Sequence, residues 1–233
     1  MRKNILNEEL IKRQTNRYHP HSGEVYFELN EAISKKLDAL RPSFEKIKIL
    51  DIGAGEIPFE KFYSGLNVDT CDVQQNSKGT INHIIDASGR LPFADEEYEA
   101  IFLFDVLEHV KYDHVFIREC YRILKSGGRL VVNVPFMYRF HECPHDYRRY
   151  TPSGIMYLLG EVSDFIIEKL EPIGSTLFVM EHVIAEKDFK LQGWRKLLHG
   201  LIFRSLKIFR NPDEISYNSP FSYFFVARKS DKP

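Results

Sequence analysis

The sequence predicts an α/β domain with a seven-stranded, mostly parallel sheet, helices on both faces and an antiparallel last strand. Three observations carry this. Short β-branched runs alternate with helical periods along most of the chain. The first such run ends in a glycine turn, "ILDIGAGE", which is strand-then-loop chemistry. The composition, 43% hydrophobic and 28% charged over 233 residues, is that of one large domain with a real core.

The elements follow in order. "SGEVYFELNEAISKKLDAL" places Tyr26, Leu29, Ile33, Leu37 and Leu40 on one helical face, and Pro42 stops it. "KIKILDIGAGEIP" is the first strand and its loop. "GLNVDTCDV" and "TINHIIDAS" read as the next two strands, each finishing on an acid. "YEAIFLFDVLEHV" is a buried fourth strand running into a turn. "HVFIRECYRIL" carries Val115, Ile117, Tyr121 and Leu124 near helical spacing, with Gly127-Gly128 expected to terminate it. "RLVVNVP" is the fifth strand. Thr151-Pro152 reads as N-cap and first residue of the helix over "SGIMYLLGEV". "FIIEKLEPI" and "FSYFFVARK" complete the sheet. The implied division is a helical cap over 1–45, a core over 46–174, a helical insertion over 175–215, and the last strand and tail over 216–233.

Charge and cysteine usage exclude some classes. A net charge of −1 argues against a nucleic-acid partner, which calls for a basic footprint. Cys71, Cys120 and Cys143 are odd in number and widely spaced, which fits a reducing compartment better than a disulfide framework. "MRKNILNEELIKRQ" has no apolar core of a signal peptide, and no apolar run is long enough to span a bilayer. The expectation is a cytoplasmic protein, with contact at the inner membrane face as an alternative.

The loop after the first strand points to a ligand. Gly53 and Gly55 let backbone N–H groups approach it closely, at the end of the sheet where open α/β folds bind ligands. Ile57-Pro58 replace the third glycine of a dinucleotide fingerprint. Asp51, just before the loop, suits a cationic group better than a pyrophosphate. Asp72 follows Asp51 by 21 residues, the place for a carboxylate that accepts from ribose hydroxyls, with Asp69 as its rival. Asp86 closes the third run and suits an exocyclic amine.

With "CDV", "IIDASGRLPFADEEYEAIFLFDVLEHV" and "YRILKSGGRLVVNVPF", the segment Ile47–Pro135 resembles the class I S-adenosylmethionine-dependent methyltransferases of the type 11 sort. The resemblance implies a Rossmann-like fold and S-adenosylmethionine as cofactor. It places Asp51, Gly53, Ala54 and Gly55 around the methionine end, and Asp72 with Val73 at the ribose. It sets Asp86 and Ala87 at the adenine, and Phe104 and Asp105 facing the cofactor. Glu56 stands where a third small residue is common. Glu108-His109, after the fourth strand, reads mainly as shaping that pocket, with catalysis by His109 as the minor reading.

"HECPHDYRRYT" follows the fifth strand, where a methyl acceptor would sit. His141, Cys143 and His145 alternate as metal ligands do, but Pro144 interrupts them and the donors differ in softness, so no metal is expected. A histidine suits removal of a hydroxyl proton, an aspartate orients it, and an arginine holds an acceptor or clamps the loop. The bland alternative is a polar loop with Asp146 and Arg149 as a structural ion pair. A subgroup of these methyltransferases, often encoded with polysaccharide-assembly enzymes, carries a similar pattern. Here it reads Pro135, Phe136, Tyr138, His141, Pro144, Asp146, Tyr147, Arg149, Tyr150, Thr151 and Pro152. That resemblance implies a sugar, glycan or other small-molecule acceptor. It makes His141 the candidate base, Asp146 its orienter and Arg149 the clamp.

A last segment, 194–210, carries Trp194, Leu197, Leu198, Leu201, Ile202, Leu206 and Phe209 at helical spacing. Its charges are Arg195, Lys196, Arg204, Lys207 and Arg210, with no acid. Such a helix packs on the domain as a lid, joins a homodimer, or lies on an anionic membrane. Alternative functions are methylation of a small metabolite (a quinone or lipid), a non-catalytic cofactor-binding partner in glycan assembly, and a nicotinamide reductase. The missing third glycine and Asp51 weigh against the last.

Overall fold

The computed structural model describes residues 22–86, 90–141, 145–162, 164–185, 192–211 and 213–231. The expectations placed on Ala87, Cys143 and Pro144, and on residues 1–21 and 186–191, lie outside those described. The elements run α1 (Ser22–Leu40), β1 (Lys48–Ile52), α2 (Glu60–Tyr63), β2 (Asn67–Asp72), β3 (His83–Ile84) and β4 (Tyr98–Phe104). After them come α3 (Asp113–Ile123), β5 (Leu124–Pro135), α4 (Pro152–Val162), β6 (Phe165–Ile173), α5 (Thr176–Ala185), α6 (Trp194–Phe209) and β7 (Ser222–Lys229).

One seven-stranded sheet has the order β3-β2-β1-β4-β5-β7-β6. The pairs from β3 across to β5 are parallel, and β7 runs antiparallel to both β5 and β6. Side chains alternate across β4. Ile101 and Leu103 join the core under α3 and α4, with Ile117, Ile123 and Ile155. Ala100 and Phe102 join the opposite core, with Ile33 and Leu37 of α1 and Phe178 of α5. The expected face of α1 is borne out at Leu29, Ile33 and Leu37, which are buried. A sheet covered on both faces needs nearly continuous apolar strands, and β4 and β5 are nearly that.

Two expectations are corrected. The third strand shrinks to His83–Ile84, so Asp86 lies beyond it rather than closing it. The cause is local. Asn82 Oδ1 accepts from the Thr70 N–H at 2.8 Å and Thr70 Oγ1 accepts from the Asn82 N–H at 3.1 Å, so side chains replace the ladder there. Gly127 and Gly128 do not terminate α3, which ends at Ile123; both lie inside β5. Lys229 Nζ reaches back from β7 and donates to the Tyr121 and Leu124 carbonyls at 3.0 and 2.7 Å. It satisfies carbonyls at the helix end that a glycine cap would otherwise close.

The glycines instead make an irregularity in β5, whose register on β4 jumps from Tyr98↔Leu124 to Ala100↔Arg129. A Cβ on Gly128 would stand 2.8 Å from the Lys125 carbonyl oxygen and 3.0 Å from that of Glu99, both backbone. Thr151 caps α4 as expected, its Oγ1 accepting from the Gly154 N–H at 3.1 Å. Gly128→Ala is expected to destabilise the fold by about 1–3 kcal/mol through overpacking against fixed carbonyls. The check is a lowered urea midpoint at unchanged m-value.

Candidate active site

The carboxyl ends of β1, β2, β4 and β5 meet at one edge of the sheet. β1 delivers Asp51, which is buried and accepts from the Tyr63 hydroxyl at 2.7 Å. Burial pushes its carboxyl up to about 7; the Tyr63 hydrogen bond opposes this and the Asp72 charge adds to it. The next residues turn sharply, with Gly53 at φ +73° and the Gly53 N–H bonded to the Cys71 carbonyl at 2.8 Å. A Cβ there would stand 2.4 Å from Val106 Cγ2. Gly53 is therefore required by both its left-handed backbone and the close approach of the β4 turn.

β2 delivers Asp72, whose Oδ2 accepts from the Gly55 N–H at 2.9 Å and whose Oδ1 accepts from the Val73 N–H at 2.7 Å. Asp69 is engaged elsewhere, accepting from the Tyr98 hydroxyl at 3.0 Å and standing 3.4 Å from Lys48 Nζ. Glu56 turns away from the loop's interior, to Ser77 N at 3.0 Å and Ser77 Oγ at 2.5 Å. Ala54 is buried, whereas Val73 and Asp86 are exposed. At the end of β4, Phe104 packs edge-on to Phe59 at 4.7 Å. Asp105 follows at φ +55°, a conformation aspartate tolerates. Asn133 of β5 holds it, donating from Nδ2 to Asp105 Oδ1 at 2.7 Å.

The turn after β4, Leu107–His109, and the loop after β5 form a second cluster. Glu108 is fully buried, and neither carboxylate oxygen has a hydrogen-bond partner. Burial, then the Asp105 charge, push it well above the usual carboxylate range. His109 Nε2 and His141 Nε2 each stand 3.7 Å from Glu108 Oε1. The two rings pack edge-on at 4.8 Å. His141 Nδ1 lies 3.1 Å from Asp146 Oδ2, and the same oxygen accepts from the His141 N–H at 2.9 Å. Burial, then the His109 charge, lower the His141 pKa; Asp146 opposes them. Asp146 is itself held low by Arg149 and His141 against the cost of its burial.

Arg149 shows why this loop keeps its shape. Its guanidinium donates to both Asp146 oxygens and to the carbonyls of Tyr138, Arg139 and Arg148. These bonds engage the whole fork, so Arg149 clamps the loop. His145 points elsewhere, its Nδ1 3.1 Å from the Tyr147 hydroxyl.

Sequence reasoning therefore singled out His141, Asp146 and Arg149, and the structure brings them together. It ranked Glu108 and His109 low, and it passed over Tyr63 and His182. His182 is buried and stacked on Tyr138 at 5.0 Å, and burial lowers its pKa to about 4. The one available signal for Glu108 was an acid closing the apolar run "FLFDVLEHV".

Residues 50–132 match the methyltransferase domain family. The uncharacterized protein MJ1123 of Methanocaldococcus jannaschii is 31% identical over 113 residues, 47% of this chain and 55% of that protein. The alignment thus spans about half the length of that curated relative. An S-adenosylmethionine-dependent methyltransferase from Archaeoglobus fulgidus superposes with a TM-score of 0.55 at 17% identity, covering 86% of this chain and 94% of the other. The cyclase SpnF superposes with a TM-score of 0.57 at 16% identity, covering 86% and 82%. These likenesses establish the fold. The domain match over residues 50–132 points to S-adenosylmethionine as the cofactor. The loop ends at β1 and β2 fit that cofactor, because a buried carboxylate beside a glycine turn, with a second acid at the next strand end, accommodates a cationic ligand with ribose hydroxyls.

Asp51 makes stability depend on pH. Between its ordinary value of 3.8 and about 7 the folded chain holds a proton that the unfolded chain releases. Stability therefore falls as pH rises through that window. Asp51→Asn is expected to exceed the wild type by about 1–4 kcal/mol at pH ~8 and to match it near pH ~4. Paired urea titrations at the two pH values check this.

Proposed function

We propose that this protein transfers the methyl group of S-adenosylmethionine to a hydroxyl of a sugar or glycan-type acceptor. The observation that carries the reading is His141, held by Asp146 above buried Glu108, at the sheet end that also bears Asp51 and Asp72. The cofactor supplies a methyl group already bonded to a good leaving group. Asp51 would neutralise its ammonium end beside Gly53, Ala54 and Gly55. Asp72 and Val73 would take the ribose, and Asp86 with Ala87 the adenine. Phe104 and Asp105 would close the wall between cofactor and acceptor.

In-line displacement then requires alignment of the acceptor and loss of its hydroxyl proton. His141 stays neutral at physiological pH, since burial lowers its pKa, and a neutral imidazole accepts a proton. Asp146 orients the ring through Nδ1, so Nε2, 3.7 Å from Glu108 Oε1, is the nitrogen that would take the acceptor's proton. Arg149 is a positioning residue that fixes Asp146. A quinone or lipid acceptor would use the same groups. A non-catalytic partner would not depend on His141. His141→Ala is expected to keep S-adenosylmethionine affinity within about threefold and to lower transfer by at least about 100-fold. Calorimetry and label transfer from S-adenosylmethionine to glycan intermediates read the two effects. Unchanged transfer sinks the base assignment.

The helix α6 favours an acceptor displayed at a membrane. Trp194, Leu197, Leu198, Leu201, Ile202 and Phe209 are exposed, and no residue of α6 is buried. A lid would have buried that stripe. Arg210 anchors the end of the helix, pairing with Glu28 and Glu181. Among the described residues no helix is long and apolar enough to cross a membrane. We infer that α6 lies on an anionic bilayer surface through its apolar stripe and its lysines and arginines. The protein is expected to float with phosphatidylglycerol vesicles and not with phosphatidylcholine vesicles. The Leu197→Glu/Leu201→Glu variant is expected to remain in solution. A stable dimer that ignores both vesicle types would assign the stripe to a homodimer instead.

A further inference from the structure

The arrangement around Glu108 is that of a ligand set. Glu108, His109 and His141 each bring one donor atom to a common point, all within 4.8 Å of one another. Their hydrogens are assigned by the surroundings. His109 Nδ1 lies 3.1 Å from the His145 carbonyl oxygen, which bears no hydrogen, so Nδ1 carries the proton and Nε2 the lone pair. His141 Nδ1 faces Asp146 Oδ2 at 3.1 Å and the Arg139 carbonyl at 3.2 Å, with the same consequence. Arg149 Nη2 is 3.4 Å from that nitrogen, but its hydrogens go to the Arg139 carbonyl and Asp146 Oδ2, both at 2.7 Å.

Two imidazole lone pairs therefore converge on a carboxylate that is itself wholly buried and without a hydrogen-bond partner. Burying a carboxylate in that state is costly unless a cation joins it. Each histidine also has its outer nitrogen fixed by an oxygen, the support that orients metal-bound imidazoles.

We propose that Glu108, His109 and His141 bind a divalent first-row transition-metal ion such as zinc or manganese. Two imidazoles and one carboxylate suit these ions better than magnesium or calcium, which take oxygen ligands. Ligand atoms about 2.1 Å from zinc stand roughly 3.4 Å apart across a tetrahedral edge. The two 3.7 Å separations need only a few tenths of an ångström of contraction, while the two imidazole nitrogens, within 4.8 Å of each other, would close further by rotation of the partly exposed His109 ring. Three protein ligands leave a position for an oxygen of the acceptor.

The inference rests on the methyl-transfer reading and changes the role of His141 within it. An acceptor hydroxyl bound to the ion loses its proton to water, because the ion lowers its pKa. The O–CH3 bond then forms as the S–CH3 bond breaks, and the bonding pair stays on sulfur. His141 acts in this scheme as a ligand, not as a free base. This departs from the metal-free expectation, which weighed His141 with Cys143 and His145 rather than with Glu108 and His109.

The test uses the full chain stripped with EDTA. It is titrated calorimetrically with zinc and with manganese, and cobalt(II) is followed by visible absorption. Expected is one ion per chain, with at least about tenfold weaker binding in both Glu108→Gln and His109→Gln. If Glu108→Gln fails to fold by circular dichroism, the more accessible His109→Gln decides. Absence of any one-to-one ion, or unchanged affinity in a folded variant, overturns the proposal and leaves Glu108 as a buried protonated acid. S-adenosylmethionine binding is measured on the same stripped sample. Its absence would overturn the methyl-transfer reading, whereas cofactor binding by a chain that takes up no added ion would overturn the metal site alone.

Discussion

The parallel pairing of β4 and β5 is the constraint on which the site depends. Phe104 lies opposite Asn133, so the two strands release their following segments at the same end of the sheet. Asn133 then fixes the first residue of one segment, through Asp105, from within the other strand. Further along, the Tyr147 N–H donates to the Glu108 carbonyl at 2.8 Å, and Arg148 donates to the Val110 carbonyl at 2.8 Å. The Tyr150 hydroxyl bonds Asp113 Oδ2 at 2.9 Å. The loop after β5 is thus laid along the turn after β4, and Arg149 prevents it from opening. Loops carry function when a rigid scaffold positions them, and here side chains of both segments complete that scaffold.

That end of the sheet gathers carboxyl groups at a cost. Asp51 and Glu108 are both buried, and burial is the first cause of the raised pKa of each. Each is close to a further acid, Asp72 for one and Asp105 for the other. A fold selected for stability alone would place apolar residues at such sites. A cation arriving at such an acid would offset the cost of its burial and turn that cost into affinity. The same logic would serve the two proposed cations, an organic one at Asp51 and a metal ion at Glu108.

The shared fold does not decide the chemistry. The solved structures this chain superposes on include both a methyltransferase and a cyclase, at 17% and 16% identity. The function has to be argued from side chains at the sheet end. Here they combine a ligand cradle on β1 and β2 with a histidine–carboxylate cluster on the segments after β4 and β5. The exposed face of α6 adds a surface that no part of the described chain covers.

Much of the fold was legible because local pattern and global role agree. Alternating runs marked the strands, Thr151 and Pro152 marked a helix start, and Asp51, Gly53 and Asp72 sit where strand ends meet loops, so neighbouring sequence alone places them. Legibility failed wherever a distant group took over a local role. Asn82 and Thr70 shortened β3, and Lys229 closed α3 in place of the two glycines. The sequence by itself determined which residues end strands, since that follows from period and turn chemistry. Only the tertiary structure decided that Glu108 faces His141, because their meeting depends on the register between β4 and β5. Burial there also decides their charge, since desolvation acts on a group through everything that surrounds it.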